Sequence, residues 1–363
     1  MQKNKMSVLV LLLVLIVAIG PVSAANVNPS MNNTYIQKII NNAASGSTII
    51  FTAGNYNGIS LNITKPLSLI CNGSVTLIGT GNDGAVFNVL NTTGVSITGF
   101  TINGSGDRDY ICLTNVNSSS VTSNTMNNNV NNISAVYIVN GYNINVIHNT
   151  MNLFNYGWNT GLAAKGIYGG IIANNTIVNG GEGMNIYQAY QNLTISGNNI
   201  SHMATHYGDG ISMANCGTPE TSTSTTVTNN KINDTAYGIF IGGNFRGTVS
   251  SNSINNSQTA GMNITGKQLP TSGNLYANIT YNNITNAKNL GIAMEHPDVI
   301  FLNLSNNIIG STVNSGGYSI LTNSYYTKDP SGQIYVTYNN FNNATNAISQ
   351  AFINSANIWS NNT

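Results

Sequence analysis

Val121-Thr-Ser-Asn124-Thr-Met126 recurs twenty-five residues on as Val146-Ile-His-Asn149-Thr-Met151, and the motif continues down the chain. Its form is an aliphatic residue, two small or polar residues, an asparagine, any residue, and a second aliphatic. Further copies centre on Asn175, Asn198, Asn230, Asn252, Asn282, Asn307 and Asn339, and successive centres lie 22 to 32 residues apart. An earlier copy, Ile97-Thr-Gly-Phe100-Thr-Ile102, puts phenylalanine in the asparagine place. Fixed-period self-similarity of this length marks a repeat protein.

The spacing inside one copy has geometric content. Side chains alternate along a strand, so residues i and i+3 cannot share a face unless the chain bends between them. Asparagine tolerates the left-handed conformation that such a bend needs. If each repeat is one coil of stacked strands, the asparagines stack about 4.8 Å apart. Their amides then pair along the column, and an unpaired buried amide would be costly. A second recurring segment is a small residue followed by aliphatic-X-aliphatic, as in Gly183-Met-Asn-Ile186, Gly210-Ile-Ser-Met213, Gly238-Ile-Phe-Ile241 and Gly261-Met-Asn-Ile264. The return from this segment to the asparagine strand is lengthened at residues 218–226, 266–274 and 323–333, so three insertions leave one corner of the coil. Loops stacked on one side of a solenoid form the wall of a binding face, or simply shield that face.

The ends read differently. Lys3 and Lys5 precede an apolar run over residues 8–19, and Val22-Ser-Ala24 supplies small residues before Ala25. Residues 1–24 are therefore expected to be a secretory signal peptide, and residues 25–363 a single domain in a secreted or cell-surface protein. Apolar spacing at Tyr35, Ile36, Ile39, Ile40 and Ala43 predicts a short helix ended by Gly46, with residues 33–63 forming an N-terminal cap and first coil. Only 6% of residues are charged and the net charge is +1, which removes the basic footprint of a nucleic-acid binder or an anionic-membrane binder. Three scattered cysteines do not make a disulfide framework, and Cys112, between Ile111 and Leu113, reads as a buried thiol. Recurrent Asn-X-Ser/Thr sequons, for example at Asn62 and Asn263, suit a glycoprotein.

Gly46-Ser-Thr-Ile-Ile-Phe51, Gly54-Asn-Tyr56 and Lys65-Pro-Leu-Ser-Leu-Ile70 together resemble the N-terminal cap of right-handed parallel β-helix proteins, the pectin-lyase-like family. The asparagine-centred coils are similar to that family's internal ladder. The Asn-rich, charge-poor style also resembles secreted adhesin-like surface proteins of methanogenic archaea. The resemblance implies an all-β, right-handed parallel β-helix of about ten or more coils with a short capping helix. For function it leaves lyases, hydrolases, epimerases and binding proteins open. Enzyme motifs of the family are not matched: Arg108 and Arg246 are far apart, and Glu295-His-Pro-Asp298 exchanges Pro and His relative to an epimerase-like Asp-Pro-His-Asp.

Register places Asp109, Ala135, Thr160, Glu182, Asp209 and Tyr237 at the same point of successive coils. Glu182 and Asp209 are then one coil apart, a pairing that suits glycoside chemistry or a calcium ion. The same residues also serve as plain turn residues bonding nearby amides. His206 joins them as a catalytic candidate, and Phe154, Tyr156, Trp158, His202 and Tyr207 are candidates for substrate binding. Aromatic faces beside carboxylates are what a sugar groove needs. The sequence therefore predicts a monomeric adhesin-like protein that binds a polysaccharide or surface glycan along one face. The alternative is an extracellular polysaccharide lyase, glycoside hydrolase or epimerase. No cofactor is expected, calcium apart.

Overall fold

The computed structural model describes residues 23–79, 84–104, 109–127, 133–154, 159–204, 208–216, 224–265, 274–295, 298–311, 318–322, 332–341, 346–348 and 356–363. They form a parallel β-solenoid with one helix. Every strand pairing given by the register is parallel, and each strand pairs with the equivalent strands of the coils above and below it. One coil shows the plan. Ser134–Ile147 runs along two faces, bending where Asn140 and Asn143 take positive φ, and after a turn at His148 and Asn149 the chain enters Thr150–Asn152 on a third face. The faces are named A (residues 134–139 and equivalents), B (145–147) and C (150–152), and the asparagine repeat is the B-to-C corner.

Alternation fills the interior. Leu162, Met184, Ile211, Ile239 and Met262 point inward from A; Val121, Val146, Ile172, Ile195 and Val227 do so from B; Met126, Met151, Ile177, Ile200 and Ile232 complete the core from C. All are fully buried, in columns that match the parallel register. The small residue of the second repeat is steric in origin: a Cβ on Gly238 would stand 2.3 Å from Ile254 Cγ2 and 2.5 Å from Gly261 O. Glycine there lets face A lie close against the aliphatics of face C.

The ladder is present and continuous. Asn198 Nδ2 donates to Asn230 Oδ1 at 2.9 Å and to Ile172 O at 3.0 Å, while its Oδ1 accepts from both the backbone N–H and the Nδ2 of Asn175. The same bonds link Asn124, Asn149, Asn175, Asn230, Asn252, Asn282, Asn307, Asn339 and Asn362. At the head of the column the Phe100 backbone N–H donates to Asn124 Oδ1, and the Phe100 ring packs edge-on against Phe51 and Phe87. One expectation is corrected. The left-handed bend is made by the residue before each asparagine, Ser123, His148, Asn174, Gly197, Asn229, Ser251 and Tyr281 among them, and not by the ladder asparagine itself. The asparagine supplies hydrogen bonds; its neighbour supplies the turn.

The helix Asn33–Asn42 starts at N-cap Asn32, whose side chain accepts from the Tyr35 N–H, and buries Ile36 and Ile40. It covers the first strand of face A by hydrogen bonding as well as packing. Gln37 Nε2 donates to Asn62 O, Gln37 Oε1 accepts from the Asn62 N–H, and Asn33 Oδ1 accepts from the Ser60 N–H. Those groups belong to a strand edge that would otherwise invite pairing with another chain. Lys65 Nζ answers the carbonyls of Asn41 and Ala43 at the helix C-terminus. Cys112, read from sequence as buried, is only partly so: alternation turns Ile111 and Leu113 inward and Cys112 outward.

Replacing Asn198 by leucine removes two acceptor bonds from Asn175 and strands buried donors, so the variant should lose at least about 1–3 kcal/mol of stability. Urea unfolding measures this, and an unchanged midpoint contradicts a buried column. Gly238→Ala should also lower the midpoint, by about 1–3 kcal/mol of overpacking between faces A and C.

Candidate functional site on face A

Residues 182–187 and Asp209–Cys216 lie side by side on face A, with Met184 opposite Ile211 and Asn185 opposite Ser212. That register sets Glu182 beside Asp209, in adjacent coils about 4.8 Å apart. Gly183 and Gly210 follow the two carboxylates, and a Cβ on either would meet the next glycine carbonyl and an isoleucine of face C. The backbone is thus held close to the core immediately after each acid. Just before Glu182, the N–H groups of Gly181 and Glu182 both donate to Asn159 O. Asn159 is itself fully buried, donating to Phe154 O and accepting from the Ile133 N–H.

The acids differ from a third member of their column. Asp109 accepts from the Ser134 backbone N–H at 2.7 Å, as a turn residue does. Glu182 Oε2 instead accepts from the Asn185 side chain at 2.8 Å, and Asp209 is bonded by Ser212. Both partners sit three residues on, at the next outward position of the same strand. Burial holds Glu182 above the ordinary carboxylate range, opposed by the Asn185 hydrogen bond. Asp209 is only 8% exposed. Burial first, and then the negative charge of Glu182, push its pKa up to about 7, against the Ser212 hydrogen bond. Near neutrality Asp209 therefore holds a proton part of the time beside Glu182.

The outward positions around the pair are shielded from solvent. Ser212, Asn263 and Ala293 point outward from face A yet are buried. Among the described residues Asn263 Oδ1 has no hydrogen-bond partner, although the residue is only 4% exposed. Tyr237 and Phe240, half-buried on the coil after Asp209, meet edge to face with ring centres 6.2 Å apart. Asn185, Ser212, Tyr237 and Phe240 were not singled out from sequence. The signal available was alternation: once Gly-aliphatic-X-aliphatic fixes the strand, its intervening position must face out.

The other candidates fall in two groups. Tyr156, Trp158, His206 and Tyr207 lie outside the described residues, as do His296, Pro297, Lys267, Lys328 and Arg108. Phe154 is 42% exposed on the C-to-A connection, one coil before Glu182. His202 sits at the end of a face-C strand in a left-handed turn, 62% exposed, with Nε2 3.4 Å from Asp234 Oδ2. Its ring borders a groove on face C, so the structure brings Glu182 and Asp209 together and turns His202 toward another face. The three insertions all follow face-A strands, after Cys216, Thr265 and Thr322, and most of each lies outside the described residues.

The sequence matches no protein-family model and no curated protein. Similar solved structures do exist. The A-module of the Azotobacter vinelandii mannuronan C-5 epimerase AlgE4 superposes with a TM-score of 0.58 at 12% identity, covering 93% of this chain and 99% of that one. The catalytic domain of a GH87 α-1,3-glucanase in complex with nigerose gives 0.57 at 14%, covering 95% and 69%. Tailspike protein 3 of bacteriophage CBA120 gives 0.53 at 9%, covering 92% of this chain and 59% of the tailspike. At such identities the likeness is one of fold. The chain has the right-handed parallel β-helix fold of pectin-lyase-like proteins.

The raised acids have a thermodynamic signature. The folded state keeps a proton on Asp209 that the unfolded chain, with an ordinary value of 3.8, releases. Its contribution to stability is therefore full below about pH 4 and is lost as pH rises toward about 7. Asp209→Asn should remove that loss, so variant and wild type diverge in urea midpoint between pH 4 and 7. Parallel pH profiles contradict the assignment.

Proposed function

We propose that this protein binds a polysaccharide along the outer face of A, the saccharide lying across coils at Glu182 and Asp209. The chemistry of these outward positions carries the reading: two carboxyls, two amides and two aromatic rings stand in neighbouring coils there. Sugars are bound by that combination, ring faces for C–H surfaces and fixed polar groups for hydroxyls. The similar structures support it, since one is a mannuronan epimerase and another a glucanase holding nigerose. With so few charged residues and the expected signal peptide, the protein acts outside the cell as an adhesin-like glycan binder, as a monomer.

One observation favours a second reading, catalysis on the bound chain. A carboxyl titrating at about 7 beside a second carboxyl has the form of an acid–base pair. Asp209 can give a proton to a leaving glycosidic oxygen while Glu182 takes one from water, as in a hydrolase, or from a sugar carbon, as in a lyase. An epimerase, with no leaving group, would use the pair only to remove and return a carbon-bound proton. Two desolvated carboxyls one coil apart are relieved by a proton or by a divalent cation. Calcium therefore belongs to the same proposal, although among the described residues no three His, Cys, Asp or Glu side chains converge.

A glycan array, run with reducing-end and unsaturated-uronate assays with and without chelator, tests both. Binding without sugar release is the expected result, weakened about tenfold by Phe240→Ala. Sugar release abolished in Glu182→Gln or Asp209→Asn moves the protein to the enzymatic reading. Binding that is indifferent to Phe240→Ala and Asp209→Asn overturns the site.

A further inference from the structure

The outer surface of face C carries a groove of about 520 Å³ that spans four consecutive coils, from Asn199 to Thr285. In each strand there one isoleucine, Ile200, Ile232, Ile254 or Ile284, points inward and is buried. The residues on either side of it therefore form two outward columns in register, Asn199–Lys231–Ser253 and Ser201–Asn233–Asn255.

The two columns are chemically unlike. The second is closed on itself: Asn255 Nδ2 donates to Asn233 Oδ1 at 2.6 Å, and Thr285 Oγ1 donates to Asn255 Oδ1 at 3.1 Å. Asp234 at its end is answered within the protein by the side-chain amides of Asn233 and Asn256 and by His202. In the first column, Asn199, Lys231 and Ser253 are exposed, and their side chains make no hydrogen bond among the described residues. Lys231 is thus the lysine of a groove whose neighbouring acid, Asp234, is hydrogen-bonded to other side chains. An amide and a hydroxyl stand one coil to either side of it, about 4.8 Å away.

We propose that this groove is a second binding site, taking a carboxylated saccharide whose carboxylate meets Lys231 and whose hydroxyls meet Asn199 and Ser253. Pre-ordered amides facing a chain of hydroxyls supply directed bonds, and one ammonium suits one carboxylate per few sugar units. A nucleic acid would need several cations along its backbone, and the groove offers one lysine and no aromatic platform. The site is on a different face from Glu182 and Asp209, and the inference does not rest on the function proposed for face A.

Titration of the ¹⁵N-labelled full chain with an oligoglucuronate, and separately with the matching neutral oligoglucose, tests it by NMR. Oligoglucuronate should shift the amide signals of Asn199, Lys231 and Ser253 saturably, and Lys231→Gln should raise Kd about three- to fivefold. Lys231→Arg should bind within about twofold of wild type. The proposal is overturned if the oligouronate shifts no face-C signals, if Lys231→Gln binds as well as wild type, or if the neutral oligomer binds equally.

Discussion

A side-chain amide has two donors and one acceptor to satisfy, and in this solenoid the ladder asparagines satisfy them by standing directly above one another. Each amide oxygen takes two bonds from the coil before it, and each amide nitrogen gives one to the next rung and one to a backbone carbonyl. A rung displaced along the strand would leave buried groups unpaired, at a cost comparable with a large part of a coil's own stability. The column therefore fixes the vertical register. Once register is fixed, the aliphatic columns, the glycine column and the outward columns of all three faces follow from alternation alone.

Both candidate sites are consequences of that register. Glu182 and Asp209 come from segments 27 residues apart, yet stand in adjacent rungs because Met184 pairs with Ile211. Lys231 lies between Asn199 and Ser253 for the same reason. A stacked scaffold brings like positions together, so two acids at equivalent points must share a desolvated space, and one of them keeps its proton toward neutral pH. The outward positions of face A there are buried, so a carboxyl pushed up toward neutral pH lies in register with Tyr237 and near Asn263, whose amide oxygen has no hydrogen-bond partner among the described residues.

Much of the fold was legible because its signals are local and repeated. The Asn-centred motif announced the ladder, and glycine before aliphatic-X-aliphatic announced the close approach of faces A and C. The pairing of Glu182 with Asp209 was legible, because register alone decides it. The site was not legible where a bend decides. The left-handed position before each ladder rung is filled by Ser, His, Asn, Gly or Tyr, so no residue type marks it, and the bend was assigned to its neighbour. His202 is next to the Asp209 turn in sequence, but its own left-handed φ carries the ring to face C. Asn185 and Ser212 were passed over because a polar residue between two aliphatics looks like solvent surface. Their hydrogen bonds to Glu182 and Asp209 depend on the turn that sets each acid three residues before them, which alternation does not report.

The whole account rests on the amide column, and side-chain hydrogen exchange reads it directly. In ¹⁵N-labelled protein, the NH₂ groups of Asn149, Asn175, Asn198, Asn230 and Asn252 should exchange as slowly as the backbone amides of the core strands, far slower than the exposed Asn199. Exchange of those side chains at the rate of free asparagine would contradict a continuous buried ladder, and with it the register that builds both faces.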